Sequence, residues 1–92
     1  MISPTSEDGI VERGLLAEQY LGDSYFRGFF EETKELIAQS IVNTRPEHHK
    51  TRESLYYTHE GLINLLGTMQ SYVEAKDQVI AKRNADELPK DD

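Results

Sequence analysis

Two long runs of helical periodicity, separated by a segment that no helix can cross, set the limits on what this chain can fold into. Residues 23–42 and 51 to about 82 repeat apolar side chains at helical spacing, and the stretch between them, Asn43-Thr44-Arg45-Pro46-Glu47-His48-His49-Lys50, is polar throughout. Pro46 lacks the N–H that a helix interior needs and biases Arg45 toward an extended backbone, so 43–50 is a connection. In 92 residues the two runs leave no room for a separate catalytic domain. The predicted fold is all-α, an antiparallel helical hairpin preceded by a short helix and self-associating.

In the first long run Phe26, Phe29, Phe30, Leu36, Ile37, Ile41 and Val42 fall mainly at i, i+3, i+4 and i+7. Arg27, Glu31, Glu32, Lys34 and Glu35 fill the opposite side. In the second run Leu55, Leu62 and Met69 are seven apart, as are Leu66, Val73 and Ile80, which predicts packing along a long seam. Leu62, Leu66 and Met69 are expected to be buried against Phe26, Phe30 and Ile37. Thr51 and Glu53 suit the first turn of this helix, and Gly61 and Gly67 read as close-packing points. Ahead of both runs Ile10, Val11, Leu15, Leu16, Tyr20 and Leu21 predict a short amphipathic helix from Gly9. Gly22 is placed to end it, and Asp23 or Ser24 to cap the next. The organisation predicted is a flexible arm over 1–8, one helical domain over 9–83 and an acidic tail over 84–92.

The lengths of the helices carry a further expectation. At about 1.5 Å per residue the last helix is about 48 Å long and the one before it about 30 Å. A compact chain of this size has a radius of gyration near 13 Å, so the longer helix overhangs. Tyr72, Val73, Val79 and Ile80 at its far end then need cover. The short first helix supplies part of it, and a second copy of the chain or another protein is expected to bury the rest.

Charge narrows the partners. Seventeen acidic against ten basic residues give a net charge of −7, which opposes attraction to phosphate backbones and to anionic lipid, so neither direct nucleic-acid binding nor membrane binding is expected. Arg45, Lys50 and Arg52 make the one locally positive patch, too small to hold a duplex alone. The absence of cysteine excludes disulfides and thiolate metal sites, and favours work inside a cell. No basic segment followed by an apolar run marks the start, and no apolar stretch reaches the length of a membrane span.

Residues with chemical potential do not assemble into a catalytic set. His48-His49 and His59 lack the spaced carboxylate of a metal-binding helix motif, and Glu31, Glu32 and Glu35 fall on the solvent face of their helix. Glycines are too scattered for a phosphate loop, and there is neither a nucleophile elbow nor a cysteine nucleophile. The expectation is a protein that is not an enzyme and holds no cofactor or metal. Aromatics are the more informative class. Phe29, Tyr56 and Tyr57 cannot all point inward, because adjacent helical positions diverge by about 100°. Phe29, Tyr56 and Tyr57, with Tyr72, Val79 and Ile80 on the overhang, are the predicted protein interface.

The order of a short helix, Gly-Asp, Phe26-x-x-Phe29-Phe30-Glu31-Glu32, Ile41-Val42-Asn43-Thr44, the break, Thr51-Arg52-Glu53-x-Leu55-Tyr56 and Leu62-x-x-Leu65 resembles small helical proteins that tailed bacteriophages encode among their virion and DNA-packaging genes. The resemblance spans residues 10 to about 80. It implies a non-enzymatic phage protein acting through assembly, with a homo-oligomer or another assembly protein as partner, in the host cytoplasm or built into the virion. The acidic balance supports a different reading as the alternative. In that reading Glu31, Glu32 and Glu35, with Glu12 and Glu18, line one face and mimic nucleic acid to block a host nucleic-acid or defence enzyme.

Overall fold

In a computed structural model of the chain, which describes residues 6–87, three helices follow one another: α1 (Glu7–Leu21), α2 (Ser24–Val42) and α3 (His49–Glu87). No strand occurs among the described residues, so the chain is all-α. Residues 1–5 of the expected arm and 88–92 of the expected tail lie outside the described residues.

Each boundary has a local cause. Ser6 stands in extended conformation and its Oγ accepts from the Gly9 N–H at 3.1 Å, with Glu7 and Asp8 in the first turn where the helix dipole favours acids. This cap starts α1 two residues before the Gly9 that periodicity suggested. Gly22 closes α1, its N–H reaching the Glu18 carbonyl at 2.9 Å, and Asp23 opens α2 by accepting from the Phe26 N–H at 2.9 Å. Only those two residues separate the helices. At the far end of α2 the Thr44 hydroxyl donates to the Ile41 carbonyl at 2.7 Å. Arg52 then reaches back from α3, Nε to Thr44 Oγ1 at 2.9 Å and one terminal nitrogen to the Arg45 carbonyl at 2.8 Å. The Arg52 N–H bonds to the His48 carbonyl, so α3 begins at His49 rather than Thr51, and at its other end it continues through Glu87, past the expected stop near Lys82.

The contacts run in one order along α3. Asp8 bonds to Arg83, Gly14 meets Tyr72 and Lys76, Leu21 shares a hollow with Gln70 and Val73, Phe26 and Phe30 share a cleft with Leu66, and Thr44 bonds to Arg52. α1 and α2 therefore lie end to end against α3, both running opposite to it. At about 1.5 Å per residue they measure about 22 and 28 Å, against about 58 Å for α3. The molecule is a rod of 72 × 30 × 24 Å, with a radius of gyration of 19.4 Å.

This arrangement corrects two expectations. α1 is not a minor cover: its interface with α3 is the most extensive of the three, and it occupies the stretch of α3 that looked like overhang. Gly61 and Gly67 are not close-packing points either, because a Cβ built on them would meet nothing within 4 Å. The close approach is at Gly14, where a Cβ would run into the Lys76 Cβ and stand 2.6 Å from the Tyr72 carbonyl oxygen.

A rod this thin makes little interior. Ala17 and Phe30 are the buried apolar side chains among the described residues. Leu62, Leu66, Met69 and Ile37, expected inside, are half-buried, because one facing helix shields only one side of another. Tyr20 and Phe26 bridge the α1–α2 junction with ring centroids 5.6 Å apart.

Gly14→Ala and Gly28→Ala should move stability in opposite directions. A methyl at Gly14 overpacks the α1–α3 contact, at a cost of about 1–3 kcal/mol that outweighs the gain in helix propensity. Gly28 has open space around it, so there the gain of about 0.5–1 kcal/mol stands alone. Urea unfolding of both variants checks the pair.

Candidate interaction surface

Where α1 crosses α3, the missing side chain of Gly14 lets Lys76 lie flat, and its side chain is only 5% exposed. Its ammonium reaches Glu18 Oε2 at 2.7 Å and Asp77 Oδ1 at 3.0 Å, both carboxylates standing in water while the stem is covered. Beside it the Arg13 guanidinium lies 3.9 Å above the centre of the Tyr72 ring, which supplies a negative π face. Arg13 Nε is buried with no hydrogen-bond acceptor among the described residues. Further along, Arg83 donates to Asp8 Oδ1 at 2.8 Å. Charged groups hold α1 to α3 around a glycine, so this contact has the character of a structural clamp.

The residues predicted from sequence as an interface divide into two groups. Phe29, Tyr56, Tyr57 and Ile80 stand exposed, Phe29 at 66% and Tyr57 at 65%. Tyr72 and Val79 are half-buried, and Tyr72 is engaged by Arg13 from α1. Sequence reasoning passed over Tyr25, which is 78% exposed at the start of α2, and over Leu15, Leu16, Leu36 and Leu65, each more than half exposed. On α2, Tyr25, Phe29 and Leu36 follow at spacings of four and seven, which puts them on one stripe within about 40° of arc.

Among the described residues no three histidine or carboxylate side chains are placed to hold a metal ion. His48 and His49 are exposed at the turn, and His59 is half-buried on α3. Glu31, Glu32 and Glu35 are exposed around an open hollow with Leu36 and Gln39, and Glu31 pairs with Lys34 at 3.5 Å. Glu18, which would have to join them on a phosphate-mimicking face, is bonded to Lys76. A hollow of about 170 Å³ between Leu21, Phe26, Phe30 and Leu66 is also lined by Arg27, Glu31 and Gln70, with Glu31 its one carboxylate. No described helix is long and apolar enough to cross a membrane.

Comparison with known proteins gives no relative: no family model, no curated protein and no solved structure matches the chain.

The clamp carries its own pH signature. Hydrogen bonds to Glu18 and then Asp77 raise the Lys76 pKa above 10.5, against the smaller opposing effect of desolvation. A raised folded-state pKa means that the contribution is whole below the unfolded value and is lost as pH climbs through the folded one. Stability should therefore fall in the window above pH 10.5, and Lys76→Met, which keeps the stem and removes the charge, should flatten that part of the profile. Chemical denaturation of both proteins across alkaline pH reads the difference, with the tyrosines common to both cancelling.

Proposed function

We propose that this protein is a non-enzymatic structural or adaptor component of a multi-subunit assembly, an antiparallel helical hairpin that associates with itself. The observation that carries this reading is the mismatch between interior and surface. Among the described residues two apolar side chains are buried, while Tyr25, Phe29, Leu36, Tyr56, Tyr57 and Leu65 are all more than half exposed. Apolar surface on this scale marks an interaction site, and aromatic side chains are the commonest anchors in such interfaces. The resemblance to small helical proteins of tailed bacteriophages gives the setting, a virion or DNA-packaging component.

The acidic-mimic reading predicts contacts dominated by charge, which salt weakens; association through apolar anchors persists in salt. Light scattering from dilute to molar salt should give a constant mass that is a multiple of the 10.5 kDa chain. A monomer throughout would overturn the self-association reading.

A further inference from the structure

We infer that a second copy of this chain packs against one particular side of the α2–α3 pair, the side on which Phe29 and Leu36 stand; this rests on the assembly reading above. The seam of α3 that faces α2, and at Val73 the end of α1, is Leu55, His59, Leu62, Leu66, Met69 and Val73, half-buried at spacings of four, three, four, three and four. One residue back at every step is a second seam with the same spacing: Ser54, Thr58, Gly61, Leu65, Thr68 and Tyr72. It lies about 100° round the helix. The α2 helix repeats the device. Phe26, Phe30, Ile37 and Ile41 face α3, and one residue back stand Tyr25, Phe29, Leu36 and Ser40.

Antiparallel helices are related by a local two-fold axis normal to their common plane, so equal steps away from the facing seams turn to the same side of the pair. The two extra seams therefore border one surface. Its charge is as distinctive as its spacing. In a chain that is 29% charged, the α3 seam contains no Asp, Glu, Lys or Arg, and Glu32, between Phe29 and Leu36, is the one carboxylate along the α2 stripe.

The fold itself shows what kind of object covers this side. From Tyr72 onward the same side of α3 is taken by α1, with Gly14 against the Tyr72 carbonyl and Arg13 on its ring. From Ser54 to Thr68 it is open, and Leu65 is 53% exposed there. The open half wants another helix where the closed half has α1. A second copy supplies both halves of the fit: Phe29 and Leu36 project as knobs, and the exposed Gly61 leaves a gap in the α3 surface, with open space where a side chain would stand. Knob and gap on one chain make a self-complementary, two-fold interface. Two such hairpins face to face make a four-helix bundle, in which every helix uses two adjacent seams. The surface available suffices. The chain exposes 7388 Å², where a compact monomer of its mass exposes roughly 5,400 Å². The difference exceeds the roughly 800 Å² that each partner gives to a standard interface.

Sedimentation of the full chain at micromolar concentration tests this. The wild type should run as a dimer. Phe29→Glu and Gly61→Glu should both give monomers of unchanged helical content, and the second raises helix propensity, so its effect is not one of unfolding. Glu32→Leu should tighten the dimer by roughly tenfold or more, because it removes the charge that the interface buries. Tyr57→Glu, on the side of α3 turned away from α2, should leave the dimer intact. A monomeric wild type would overturn the self-association reading and this inference together. An oligomer that Phe29→Glu and Gly61→Glu leave whole would overturn this inference alone, and Tyr57→Glu would then show whether the opposite side carries the contact.

Discussion

A helix of 39 residues standing in water needs cover along its whole length, and this chain provides it with two shorter helices laid end to end. Everything else follows from that division. The Gly22-Asp23 junction resets the backbone between α1 and α2 with two residues and two capping hydrogen bonds, which lets each helix choose its own approach to α3. α2 approaches through Phe26, Phe30 and Ile37, large side chains that hold the axes apart. α1 approaches through Gly14, one turn from the buried Ala17, small residues that let the backbones come close. The result is thin everywhere, so the apolar surface that one neighbour cannot reach stays in water.

The close approach explains why charged residues hold the α1–α3 contact. With a glycine at the crossing there is no side chain to pack, and the Lys76 stem fills the space while its ammonium turns outward to Glu18 and Asp77. Such a pair contributes modestly in energy, since both carboxylates are solvated. Its stronger effect is on register. A shift of α1 by one residue would bring a side chain to the position of Gly14 and take Glu18 away from Lys76.

The parts of this fold legible in the sequence are those written in large apolar residues and in breakers. Pro46 and the polar stretch around it gave the turn, Gly22 and Asp23 gave the junction, and the phenylalanine and leucine periodicity gave α2 and α3 with their facing sides. The dominance of α1 was not legible, because glycine and alanine carry almost no hydropathic signal and Lys76 reads as surface. Ser6 also caps from outside the periodic stretch, where no apolar repeat draws attention to it. Of the surface residues, Phe29, Tyr56 and Tyr57 stood out because adjacent helical positions, Phe29 with Phe30 and Tyr56 with Tyr57, cannot both face inward. Tyr25 and Leu65 were passed over because helix periodicity ranks residues by the seam they complete, and these complete a second one.

The bond between Asp8 and Arg83 joins residues near the two ends of the described chain, while the turn held by Arg52 lies at the opposite extremity. The rod consequently has unlike poles. Toward one, Glu7, Asp8, Asp86 and Glu87 outnumber Lys82 and Arg83; toward the other, Arg45, Lys50 and Arg52 outnumber Glu47 and Glu53, with His48 and His49 beside them. The described chain therefore enters and leaves the rod at the end where Asp8 meets Arg83, and the opposite end presents a turn that Arg52 ties together through Thr44 and the Arg45 carbonyl.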